Sequence, residues 1–197
     1  MGKGLIYIHG KGGNIGEAGH YGPLFPGWHV TGFDYKAKTP WDAKEEFSAF
    51  FDSFCRDYDT VRIVANSIGA FFSMHGFAGR KIEKAYFISP IVNMELLIMD
   101  MMRWSKVTED DLKERGQIKT GFGETLSWEY LSWVRNNPAV WRIPTHILYG
   151  SRDNLQSIET VRSFAQKIGA DVTVMEGGEH WFHTKEQMEF LDNWICK

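Results

Sequence analysis

Short, mainly apolar runs alternate along this chain with longer stretches in which apolar residues recur every three or four positions. The first pattern fits strands buried on both faces, and the second fits helices laid against a sheet. Residues 5–8, 30–33, 61–65, 84–89, 143–150 and 172–175 supply six strand-like runs. Thr39-Pro40-Trp41-Asp42 has the composition of a helix start, with an N-cap threonine, proline at the first helical position and a carboxylate three residues on. Phe47, Phe50, Phe51, Phe54 and Tyr58 follow at helical spacing as a stripe that packs on the sheet. A helix over 157–168 is closed by Gly169, and Thr184-x-x-Gln187 opens a last helix with Met188, Leu191 and Ile195 on one face. The alternation lapses between residues 91 and 142. There a mostly apolar stretch from Met94 to Trp104, a charged stretch from Lys106 to Arg115 and the tryptophans 128, 133 and 141 read either as an inserted helical cover or as an ordinary helical pair. Strands alternating with helices predict a mainly parallel sheet, with functional loops at the carboxyl ends of its strands.

The run 61–65 passes into the helical stretch 69–74 with room only for a sharp corner, and Ser67 stands on it. A serine on such a corner takes a strained backbone conformation that lifts its hydroxyl clear of the sheet. The strand and helix then nearly touch, which requires small residues two before and two after, here Ala65 and Gly69. The competing reading is a serine that merely caps the helix behind it.

The first strand ends in His9-Gly10-Lys11-Gly12-Gly13. Gly10, Gly12 and Gly16, with Asp34 after the second strand, imitate a dinucleotide-binding fingerprint. That fingerprint needs a helix to begin at once, and Gly19, Gly22, Pro23, Pro26 and Gly27 leave no room for one of three turns. Asp153 and His180 each follow a later strand, so both fall on the same sheet edge as Ser67. Taken singly, Asp153 also reads as a turn residue and His180 as a loop histidine. His183 and Asp34 are the rival base and carboxylate.

Ala65-x-Ser67-x-Gly69 resembles the G-x-S-x-G nucleophile elbow of the α/β-hydrolases, with alanine in place of the first glycine. The His9-Gly10 loop resembles the family's oxyanion loop, and the order Ser67, Asp153, His180 is the family's order. The resemblance covers almost the whole chain. It implies a three-layer α/β-hydrolase fold, a mainly parallel sheet of about six strands flanked by helices, and a helical lid at about 91–142. The two antiparallel strands that usually open that fold are missing from the pattern. It further implies Ser67 as nucleophile, His180 as base and Asp153 as the residue that orients it. The backbone N–H groups of Lys11 and Ile68 would form the oxyanion hole. His9 would hold the loop in shape, with Gly10 and Gly12 close to the substrate. The reaction so implied is cofactor-free acyl transfer to water from an ester or thioester. The alternatives are a ligand-binding or sensor protein without turnover, and lyase or perhydrolase chemistry at the same site.

A net charge of −3 over 197 residues removes any reason to expect nucleic acid as partner. Two cysteines, Cys55 and Cys196, suggest neither a disulfide framework nor a metal site, and His180-x-x-His183 lacks companion ligands. No apolar run approaches the ~20 residues of a membrane span, and the expectation is a cytoplasmic protein. The methionines and tryptophans of 91–142, Met101 and Trp104 foremost, point to an apolar acyl or aromatic ester as substrate.

Overall fold

The computed structural model describes residues 2–197. In chain order it contains β1 (Lys3–Ile8), a 3-10 turn (Ile15–Glu17), α1 (Ala18–Tyr21), β2 (His29–Gly32), α2 (Pro40–Phe54), β3 (Thr60–Asn66), α3 (Ile68–Gly76) and β4 (Lys84–Ile88). These are followed by α4 (Met94–Trp104), α5 (Glu109–Arg115), β5 (Gln117–Lys119), β6 (Thr125–Ser127) and α6 (Trp128–Asn136). The chain closes with β7 (Thr145–Gly150), α7 (Ile158–Ile168), β8 (Asp171–Met175) and α8 (Lys185–Ile195). It divides into two compact units: Asn93–Ala139 forms one, and the segments before and after it form the other.

The larger unit is built on a six-stranded sheet in the order β2-β1-β3-β4-β7-β8, every neighbouring pair of which is parallel. Side chains alternate between the two faces of a strand. Leu5, Tyr7, Val64, Tyr86, Ile88 and Leu148 meet residues of α1 and α8 on one face. The alternate positions turn toward α2 and α3. A methyl added at Gly4 would collide with Phe54 of α2, and one at Gly69 of α3 with Ile8. The helices are therefore on both faces; most side chains of the inner strands β1, β3, β4 and β7 are buried, while those of the edge strands β2 and β8 are mostly half-buried.

Strand order reverses between β1 and β3, since the chain leaves β1 toward β2 on one side and β3 toward β4 on the other. Loops leaving two strands at such a point diverge and open a crevice at their carboxyl ends. The loop after β1 and the corner after β3 lie at this position. Between β1 and β2 the helical content is one 3-10 turn and the four-residue α1, too little for a dinucleotide-binding helix.

The smaller unit, Asn93–Ala139, contains a feature the sequence pattern did not suggest. Besides three helices it holds an antiparallel hairpin, β5 with β6, pairing Gln117 with Ser127 and Lys119 with Thr125. The expectation of a purely helical insertion is corrected accordingly. The three-residue strands alternate too briefly to show a period, and their turn is closed by Thr120, whose N–H donates to the Glu124 carbonyl at 2.8 Å. Arg135 of α6 ties the unit together. Its guanidinium donates to Glu95 of α4 at 2.7 Å and, through two nitrogens, to Glu109 of α5 at 2.6 and 2.9 Å. Among the described residues no helix is long and apolar enough to cross a membrane.

Candidate active site

Ser67 has φ 51° and ψ −120°, a conformation costly for any residue with a Cβ, on the order of 1–3 kcal/mol. The backbone around it is held from two sides. Its N–H donates to the Ile88 carbonyl at 3.0 Å, and its own carbonyl accepts from the Ile91 N–H at 3.2 Å. Gly69 explains the small residue the corner demands, because a Cβ there would stand 2.5 Å from the His9 carbonyl oxygen. Ala65 is fully buried in register with Ile8 and Phe87, so its extra methyl is accommodated inside the sheet. Ser67 precedes the first residue of α3, yet its side chain caps no N–H of that helix. The helix-capping reading of this serine is thereby removed.

Its hydroxyl meets His180 instead, with Oγ 2.8 Å from Nε2. Nδ1 of the same ring lies 2.7 Å from Asp153 Oδ2. The Asp153 side chain is 1% exposed and that of His180 17%. A carboxylate only accepts, so Nδ1 carries the proton, and in the neutral ring Nε2 is left as acceptor for the serine hydroxyl. The second Asp153 oxygen accepts the N–H groups of Leu155 at 2.8 Å and Gln156 at 3.3 Å. One oxygen thus makes the turn expected of Asp153, and the other lies against the His180 ring.

These three residues leave β3, β7 and β8, and β4 lies between the first two of those strands. The histidine loop must therefore fold closely over the end of β7. Gly150 and Gly178 permit it. A Cβ at Gly150 would stand 2.5 and 2.6 Å from the Gly178 and Glu179 carbonyl oxygens, and Arg152 N–H donates to the Gly178 carbonyl at 2.8 Å. Sequence reading had singled out neither glycine, although a glycine closing one strand and a glycine pair after the next was a usable sign of close backbone approach.

The loop after β1 is a tight turn in which Gly13 N–H donates to the Gly10 carbonyl at 3.1 Å. Gly12, at φ 79°, occupies the position that favours glycine. Gly10 lies against the elbow, where an added Cβ would be 3.2 Å from Ser67 Cβ. His9 stacks on Tyr35 with ring centroids 4.4 Å apart, its Nδ1 lies 2.8 Å from the Gly10 carbonyl, and its own carbonyl accepts the Tyr35 hydroxyl at 2.9 Å. It fastens the loop and stays apart from the Ser67–His180 pair. Lys11 occupies the second position of the turn and Ile68 the first of α3, the end of a helix whose N–H groups lack partners within it.

A cavity of about 650 Å³ opens beside Ser67 and His180. Gly10, Lys11 and Gly12, named from the sequence, line it. So do Tyr7, Glu17 and Asn66, which were not named from it. Asn66 Nδ2 donates to the Tyr7 hydroxyl at 2.8 Å, and that hydroxyl donates to Glu17 Oε2 at 2.5 Å. Contacts across 59 and 10 residues of sequence leave no periodic signature. Burial, with Tyr21 and Glu17 nearby, pushes the Tyr7 phenol far above its ordinary range, so the hydroxyl remains a donor.

The remaining candidates make other contacts. Asp34 is exposed and pairs with Lys36 at 2.7 Å. His183 lines the cavity, but its Nδ1 lies 2.7 Å from the Trp181 carbonyl, and its ring stacks on Trp181. Met101 and Trp104 belong to α4 in the smaller unit, where Trp104 is 52% exposed and meets Phe122 edge-on. Among the described residues no cluster of three or more His, Cys, Asp or Glu side chains could hold a metal ion.

No family model matches the sequence. A Mycoplasma genitalium protein provisionally named esterase/lipase 3 is 27% identical over 121 residues, which is 60% of this chain and 42% of that protein. This chain therefore aligns with about two fifths of that relative's length. Among solved structures, Est1E from Butyrivibrio proteoclasticus superposes with a TM-score of 0.74 at 17% identity, covering 99% of this chain and 86% of that one. Mouse alpha/beta hydrolase domain-containing protein 10 gives 0.69 at 16% identity, over 98% and 87% of the two chains. With the all-parallel sheet, the elbow after its third strand and these two likenesses together, the chain has the α/β-hydrolase fold.

Proposed function

We propose that this protein hydrolyses carboxylic esters or thioesters through an acyl-enzyme on Ser67. The observation that carries the reading is the strained, non-capping Ser67, its Oγ 2.8 Å from a His180 ring whose far nitrogen is bonded to a buried carboxylate. A serine hydroxyl attacks poorly until a base removes its proton, and an imidazole that exchanges protons near neutrality can take it and later return it. In the first half-reaction Oγ adds to the substrate carbonyl while its proton passes to His180 Nε2. The tetrahedral intermediate collapses, and His180 protonates the departing alkoxide or thiolate. Water then adds to the acyl-serine by the same route, and free acid leaves. Asp153 holds the ring in the required tautomer and stabilises its cation. The N–H groups of Lys11 and Ile68 receive the oxyanion, where loss of one donor typically costs ~3 kcal/mol. The name of the M. genitalium relative agrees with this chemistry.

For Asn93–Ala139 we propose a cap role, from four methionines and several tryptophans set between two core strands. Trp104→Ala should then flatten the dependence of kcat/KM on acyl chain length. If it alters thermal stability alone, the segment has no part in substrate choice.

The direct test of the hydrolase reading is labelling with a fluorophosphonate and mapping of the modified residue. Attachment at Ser67, lost in Ser67→Ala, is expected. Absence of labelling together with absence of turnover on an ester panel would leave a ligand-binding protein.

A further inference from the structure

We infer that Glu17 makes the cavity beside Ser67 selective for esters bearing a hydrogen-bond donor, a hydroxyl or an ammonium group, on the part of the substrate lodged there. The inference rests on the proposed ester hydrolysis at Ser67 and deepens it. Glu17 lies in the wall of a cavity that Tyr21, Phe182, Met188 and Leu191 also line. A carboxylate in such surroundings gives up hydration that only a good partner restores. The few polar groups in a mainly apolar pocket are the ones that fix ligand orientation.

The carboxylate is held in place. The Asn66 amide donates to Tyr7, and Tyr7 donates to Glu17 Oε2, a relay that starts one residue from Ser67 and has every donor directed toward the carboxylate. Because the Tyr7 phenol keeps its proton, it remains a donor and never competes with Glu17 as an anion. An ionised carboxylate offers about four acceptor sites, and Tyr7 engages one of the two oxygens. Gly13 borders both, since a Cβ there would stand 3.0 and 3.1 Å from them, and glycine keeps that side open. The chain reaches this position through the Asn14 cap, whose side chain accepts from Gly16 N–H at 2.8 Å and starts the 3-10 turn that ends in Glu17. The other ionisable groups in the lining include His20, engaged by Asp192 at 2.7 Å, His183, 3.7 Å from Glu179, and Lys11 on the turn. A carboxylate that only braced the loop would affect all substrates alike, whereas one that recognises ligand distinguishes among them.

The experiment compares matched esters with the purified full chain. On the alcohol side, 2-(dimethylammonio)ethyl butyrate is set against its carbon isostere 3-methylbutyl butyrate, and 2-hydroxyethyl butyrate against propyl butyrate. On the acyl side, methyl 4-(dimethylammonio)butanoate is set against methyl 5-methylhexanoate. In at least one set, wild-type kcat/KM should favour the donor-bearing ester by roughly ten- to a hundredfold, the range of a charge-assisted hydrogen bond. Glu17→Gln keeps an acceptor and loses the charge. It should abolish the ammonium preference and retain part of the hydroxyl preference, each read as the kcat/KM ratio within its matched pair. Glu17→Asp should restore part of the ammonium preference. Equal turnover of donor and hydrocarbon esters by the wild type overturns the inference while leaving the hydrolase reading intact. So does a Glu17→Gln defect spread evenly over all substrates. No turnover of any ester and no fluorophosphonate label at Ser67 would overturn both.

Discussion

Ser67 and Ser157 are the same residue at the same place, immediately before a helix, and they do opposite things. Ser157 has extended backbone angles, and its hydroxyl accepts the Thr160 N–H at 3.2 Å. The side chains of Thr39, Asn93, Thr108, Ser127 and Thr184 likewise accept a first-turn N–H at the starts of five other helices. Ser67 has φ 51°, bonds no helix N–H and presents its hydroxyl to His180. Residue type decides neither outcome. The backbone decides, and at position 67 the backbone is bent by strand–helix crowding that a capping serine never meets.

The largest expected effect falls on the Ser67 side of this comparison. Ser67→Ala should lower kcat by about 10⁴-fold or more, with thermal unfolding unchanged, since no cap is lost. Steady-state kinetics and a melting curve check both halves, and a large fall in stability would return Ser67 to the capping class. Asp153→Asn should follow at roughly a thousandfold or more in kcat, because the amide no longer enforces the tautomer. Its effects should be far from additive with Ser67→Ala, read from the double variant.

Gly150→Ala comes next. The new methyl meets carbonyl oxygens of the histidine loop, and a displacement of the order of 1 Å at the base can cost about a hundredfold in rate. Ester turnover beside a melting curve will show whether rate falls more than stability. The smallest effect belongs to the partner in the comparison. Ser157→Ala should cost about 1 kcal/mol in chemical denaturation and leave kcat/KM untouched.

The capping signals at Thr39 and Thr184 were legible because each is local, confined to four residues. The inner strands were legible because burial on both faces forces mainly apolar runs. Ser67, Asp153 and His180 could be named because chain order and strand ends place them on one edge, although only the fold brings His180 within reach of a serine 113 residues away. The Asn66–Tyr7–Glu17 relay was not legible, since Tyr7 reads as one more strand residue and Glu17 as a loop charge. The β5–β6 hairpin escaped for a different reason. Three-residue strands with charged and polar members leave no period to find.

The position of His180 also bears on synthesis. The residues of the glycine turn and the elbow are synthesised early, while the residue that would take the Ser67 proton follows the last strand of the sheet. A polypeptide halted anywhere before that loop carries Ser67 with no His180 beside it. Truncated translation products of this protein would therefore be inert toward cellular esters, and any reactivity would appear only once the sheet is complete.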